Sequence, residues 1–263
     1  MDPDCSLHLI ERMRWDDVAR RIHNGAVAIL PIGAAAKQHG FHLPLNTDRL
    51  QAEWLAARLA SRFDALIWPT VTYGHYPAFT EYAASSSLSA PTFEAVVREI
   101  ATGILGSGCR TLFVLNTGLS TLAPVDRALG RFDSARVNHL WIYGGPRYPR
   151  TAKALAEQHH GSHADELETS LMLAIAPHLV DMARAEASPA REQATAGALT
   201  PSDETSPNYS RSGSYGDPTL ATSDKGEALL ASMLADLVEK IAMFIAKDLT
   251  DSPRPETIQS VLR

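Results

Sequence analysis

At 263 residues the chain has the length of one α/β domain, with two small domains as the alternative, and its 45% hydrophobic and 21% charged residues exclude a disordered or fibrous polypeptide. Lys and Arg total 24 against 30 Asp and Glu, a net charge of −6 with no basic stripe, which argues against a nucleic-acid reader. The two cysteines, Cys5 and Cys109, are too few for a disulfide framework, and no run approaches the ~18 apolar residues of a membrane span.

The amino terminus, Met1 to Cys5, is acidic and lacks an apolar signal-peptide core, so a cytoplasmic globular protein is expected. In chain order, a strand is predicted at 26–31 (AVAILP). A helix follows at 47–62, with Leu50, Trp54, Leu55 and Leu59 along one face. A second strand at 65–69 (ALIWP) precedes a helix at 91–105 that opens on Pro91 and groups Phe93, Val96, Val97 and Ile100. Strands at 111–115 (TLFVL) and 137–143 (VNHLWIY) come next, then a helix at 164–176 stopped by Pro177. The Ala-, Ser-, Thr- and Pro-rich stretch 185–214 reads as a long loop or lid. A long amphipathic helix at 223–247 carries Leu229, Leu230, Met233, Leu237, Ile241 and Phe244, and 249–263 is expected to fray. Strand alternating with helix predicts a parallel sheet covered on both faces, a single α/β domain over 1–263.

Ligands of such sheets collect at the carboxyl ends of the strands. The segment 33–48 places Lys37, His39, His42 and Asp48 within twelve residues, and imidazole with carboxylate suits a zinc- or manganese-like ion. The turn 116–121 (NTGLST) offers amides and hydroxyls to an anion, or is a plain strand-to-helix turn capped by Ser120 or Thr121. In 161–170, His163 and Glu166 lie three apart on one helical face, with Glu168 pointing elsewhere unless the first turn is irregular. His75 and Glu81 line a pocket or face water. Trp141, Tyr143 and Tyr148 line the pocket or belong to the core, and Cys109 is expected to be a buried structural thiol.

The run LPIGAAAKQHGFHLPLNTD resembles the first signature of the creatininase family, and GSHADELETS and SGSYGDPTLATSDKGEALL are similar to its later segments, in the family's order from residue 26 to about 230. The resemblance implies a three-layer αβα sandwich with a mostly parallel sheet, usually a homo-oligomer, and a metal-dependent hydrolase of C–N amide bonds. His39 and Asp48 match family metal ligands, while Lys37 stands where the family has a Glu ligand. Gly118 and Ser120 replace a histidine and carboxylate turn and cannot act for them. His163 matches the histidine that handles substrate and protons, and Glu168 the signature Glu. At most one zinc or manganese ion is therefore implied, on His39, Asp48 and a third ligand from His42, Glu81, Glu166 or Glu168. The expected activity is hydrolysis of a small-molecule or peptide amide, with His163 passing a proton, Glu168 orienting it or acting as base, and Lys37 holding negative charge. Two alternatives remain: a metal-free biosynthetic enzyme using Lys37, His163 and Glu168 for cyclisation, isomerisation or dehydration, and a non-catalytic ligand-binding homologue.

Overall fold

Four buried apolar strands organise the molecule: β1 (Ala28–Ile32), β2 (Leu66–Ile67), β3 (Leu112–Asn116) and β4 (Val137–Trp141). The computed structural model describes residues 7–188 and 197–251. The strands are all parallel, in the order β2-β1-β3-β4, with Ala28 beside both Leu66 and Leu112, and Leu112 beside Val137. Period-two alternation sends Ile29, Phe113 and Leu115 to one face and Ala28, Leu30, Leu112 and Val114 to the other. Both faces are covered, which completes the three-layer arrangement expected of a parallel sheet. The first core packs Leu55 and Leu59 of α2 (Thr47–Phe63), Leu171 of α6 (Glu166–Ile175) and Leu229, Met233 and Leu237 of α7 (Ser223–Asp251). The second packs Phe93, Val97 and Ile104 of α3 (Ala90–Gly106) and Val125 and Leu129 of α4 (Leu122–Leu129).

Three helices have no counterpart among the predicted elements: α1 (Trp15–His23), α4 and α5 (Arg147–Leu155). Each is at most nine residues long, and α1 and α5 contain no fully buried residue, so their apolar periodicity is too thin to register in sequence. The strand expected at 65–69 shrinks to two residues because Pro69 has no N–H for the ladder. The helix expected at 164–176 begins only at Glu166, after Ala164 in the left-handed region (φ 46°) and Asp165 as N-cap. Within the loop expected at 185–214, Leu199 donates its N–H to the Ala78 carbonyl and Thr200 bridges to Tyr209, which folds this segment across the carboxyl ends of the strands. Its residues 189–196, the tail from 252 onward and Cys5 lie outside the described residues. No described helix is long and apolar enough to cross a membrane. Cys109 is fully buried, and burial pushes its thiol pKa up, as for a structural thiol.

The α6–α7 crossing depends on one residue. A Cβ on Gly226 would fall 1.9 Å from the Ser170 carbonyl oxygen. Overpacking costs about 1–3 kcal/mol, whereas alanine in a helix regains only about 1 kcal/mol over glycine, so sterics win. Gly226→Ala should lower stability by about 2 kcal/mol and the thermal midpoint by about 4–8 °C. A midpoint raised by the substitution would show that the helices do not cross here.

Candidate active site

The segment from Ala34 to Asp48 leaves the end of β1 and returns to it as the first turn of α2. Gly33 makes this closure sterically feasible: a Cβ there would lie 2.5 Å from the Asp48 carbonyl oxygen. The Arg49 N–H then bonds the Ala34 carbonyl, and the Lys37 N–H the Leu45 carbonyl, so Lys37, His39 and Asp48 share one floor. Lys37 Nζ lies 2.7 Å from Asp48 Oδ2, with both side chains almost wholly buried. Burial raises the Asp48 pKa, but the Lys37 ammonium and His39 outweigh it and hold the carboxyl well below the usual range.

The imidazole orientations are set by backbone. His39 Nδ1 lies 2.9 Å from the Lys37 carbonyl oxygen, and His163 Nε2 lies 2.9 Å from that of Gln38. A carbonyl only accepts, so these nitrogens carry the protons in the neutral rings. The remaining nitrogen of His163, Nδ1, then presents a lone pair, while His39 Nε2 is left to face the carboxylates. His39 Nε2 faces Asp48 Oδ1 at 3.3 Å and Glu168 Oε1 at 3.8 Å; His163 Nδ1 faces Glu168 Oε2 at 3.8 Å. Burial, then His39 and Lys37, hold the His163 pKa well below the ordinary histidine value, which keeps its ring neutral.

Glu168 meets these rings because Ala164 adopts φ 46° and breaks the helical phase that would have paired His163 with Glu166. The Ala164 N–H donates to Glu168 Oε2 (2.7 Å) and Gln51 Nε2 donates to Oε1 (3.3 Å), while Tyr143 Oη donates to Gln51 Oε1 (2.8 Å). Gln51 sits one helical turn beyond Asp48, a spacing from which sequence reasoning could have found it. Phe79 was also missed; its ring packs 4.3 Å from that of His163 and 5.1 Å from Lys37 Nζ.

Among the four third-ligand candidates only Glu168 reaches the site. Glu166 is buried, accepts the Glu157 and Gln158 N–H groups, and pairs with Lys225 at 2.5 Å. Glu81 is exposed, and His42 Nε2 lies 2.7 Å from Thr169 Oγ1, a link from the loop to α6. In the turn 116–121, Thr121 Oγ1 donates to Asn116, Ser120 Oγ to the His75 carbonyl and Thr117 Oγ1 to the Ile32 carbonyl. The hydroxyls that one of the two readings of this turn offered to an anion are thus committed within the protein. Neither Ser120 nor Thr121 caps α4 with its side chain.

Burial, then the neighbouring His39, lower the His42 pKa to about 4. The unfolded chain takes up this proton near 6.5 and the folded chain only near 4, so stability is complete above 6.5 and falls as pH drops toward 4. The expected slope is up to about 1.4 kcal/mol per pH unit. Urea midpoints at pH 7 and pH 5 should separate more for the native chain than for His42→Gln, and equal separations would assign the acid sensitivity elsewhere.

The floor opens into a cavity of about 800 Å³ that includes Trp141, Tyr143 and Tyr148 in its lining. His39, His163 and Glu168 each aim one donor atom so that all three lie within 4.8 Å of one another. Two histidines and one carboxylate are a donor set that catalytic zinc uses. Their other nitrogens are pinned by carbonyls, as outer-shell partners pin metal-ligating histidines. The residues present fit one divalent cation.

A family model described as Creatininase: Creatinine amidohydrolase matches residues 11–241. A creatinine amidohydrolase of Pseudomonas putida is 27% identical over 194 residues, 66% of this chain and 74% of that protein. A mycofactocin precursor peptide peptidase of Mycobacterium tuberculosis is 27% identical over 229 residues, 82% of this chain and 85% of that protein. A crystal structure of creatinine amidohydrolase superposes with a TM-score of 0.77 at 25% identity, covering 90% of this chain and 97% of the other. A mutant creatininase of the Zn–Zn type superposes with a TM-score of 0.75, also at 25% identity, covering 89% and 97%.

Proposed function

Because the chain belongs to the creatininase family of amidohydrolases, we propose that it hydrolyses an amide C–N bond with a single divalent cation, zinc or manganese, held by His39, His163 and Glu168. The observation that carries this reading is the pair of carbonyl-pinned imidazoles whose other nitrogens face the same carboxylate. A cation bound there would polarise the amide carbonyl and acidify a water. Asp48 Oδ1, 3.3 Å from His39 Nε2, stands as a further donor at the same place. Lys37, held by Asp48 Oδ2, keeps a positive charge beside the site, where it stabilises the oxygen charge of a tetrahedral amide carbon. Gln51 and the Ala164 N–H hold both oxygens of Glu168 in place.

The relatives named above act on a small cyclic amide and on a precursor peptide, and both bond types fall within this chemistry. The cytoplasmic location and homo-oligomeric state expected from sequence stand as part of the same reading. The closed Lys37–Asp48 pair favours a second one, in which Lys37, His163 and Glu168 perform acid–base chemistry without a metal. Elemental analysis of the purified chain separates them. We expect one zinc or manganese ion per chain, with amide hydrolysis that chelator abolishes and the metal restores. Turnover that survives chelation belongs to the metal-free enzyme. No turnover of any amide, with thermal stabilisation by ligand, belongs to the binding homologue.

A further inference from the structure

The cavity above the floor is large and its charges are segregated. Ligand pockets run from ~300 to ~1,000 Å³, so about 800 Å³ is sized for a molecule well beyond a small cyclic amide. Among the described residues lining it, every formally ionisable acid, base or imidazole (Lys37, Asp48, His163, Asp165 and Glu168) is at the floor. The walls are mainly aromatic and apolar, with the uncharged polar side chains Ser120, Ser162, Ser188 and Asn208 among them. Trp141 packs edge-on to Tyr143 at 5.8 Å, and Tyr143 is tied through Gln51 to Glu168, so this wall begins at the candidate reaction centre. Phe79 adds a further aromatic ring to the lining, against His163 and Lys37. Leu119 and Leu199 extend the apolar lining, and Leu119 is 69% exposed.

A charged group carried into such walls would lose hydration with no opposite charge to pair it, whereas an aromatic ring gains packing against the aromatic side chains. We propose that the amide cleaved here bears an uncharged aromatic side chain beside the scissile bond, as in an N-acylated phenylalanine amide, and that Trp141, Phe79 and Leu119 select it. The proposal rests on the amidohydrolase reading. Water adds across the C–N bond: the acyl carbon gains the oxygen and the departing nitrogen gains the proton.

The test uses the metal-supplemented full chain and chromatographic product analysis. N-acetyl-phenylalanine amide should exceed N-acetyl-glutamate α-amide, N-acetyl-lysine amide and creatinine in kcat/KM by at least about tenfold. Leu119→Asp, a change at an exposed position, should raise the lysine-to-phenylalanine ratio by about tenfold. Equal or faster turnover of the charged amides or of creatinine overturns the inference while leaving the hydrolase reading intact, as does a ratio unmoved by Leu119→Asp. If no amide turns over, the hydrolase reading fails and calorimetric binding decides the inference alone. Saturable binding of N-acetyl-phenylalanine amide, weakened about tenfold by Trp141→Ala or Leu119→Asp and not matched by the glutamate amide, upholds it. Equal binding of the two amides sinks it.

Discussion

Replacing His39 with alanine should abolish cation binding and reduce amide hydrolysis by more than about a hundredfold, because loss of even an outer-shell partner of a metal ligand costs 10- to 100-fold. The imidazole is fully buried, with its Nδ1 fixed by the Lys37 carbonyl and its Nε2 facing two carboxylates. His39 Nε2 is the imidazole nitrogen that faces both Asp48 and Glu168. A second readout follows from linkage. Zinc at one hundred times its dissociation constant stabilises a binding-competent fold by about 2.7 kcal/mol. For a chain of this length that is a rise of about 5–11 °C in the thermal midpoint. The native protein should show this rise and the variant should not. A variant that still melts higher with zinc would place the ion away from His39.

Lys37→Met should be the most destabilising single change in the site. Both members of the Lys37–Asp48 pair are buried, and removing one leaves an uncompensated carboxylate. Breaking a buried pair in this way costs about 3–5 kcal/mol, or about 6–20 °C in the thermal midpoint. The double change Lys37→Met with Asp48→Asn should recover much of that loss, since the isolated charge then disappears. The same single variant frees Asp48 Oδ2, so added zinc should stabilise it more than it stabilises the native chain. A melting temperature unchanged by Lys37→Met would mean that the ammonium and the carboxylate are hydrated rather than paired.

The candidate site was legible to different depths. Lys37, His39 and Asp48 lie within twelve residues of one another, a separation short enough for sequence to group them, and they meet at the end of β1. Glu168 was named beside His163 from the family resemblance, whereas helical spacing taken alone favours the pair His163 and Glu166. That spacing holds only inside a helix, and α6 starts three residues after His163. Gln51 lay one helical turn from Asp48 and could have been found from that spacing, whereas Phe79 comes from a separate part of the chain and carries no chemical signal that marks it before folding.

The sequence alone determined the layers. Strands alternating with amphipathic helices, the two at 65–69 and 111–115 almost continuously apolar, point to a covered parallel sheet, because burial on both faces is written into such strands residue by residue. It also determined that a cation stands at position 37 where a ligand was to be expected. Only the tertiary structure decided which acid joins the two histidines, because one left-handed residue, Ala164, resets the direction of everything after it. Only the tertiary structure, too, drew Phe79, Leu119, Trp141 and Leu199 into one cavity, since walls assembled from four separate loops and strand ends have no period in the sequence.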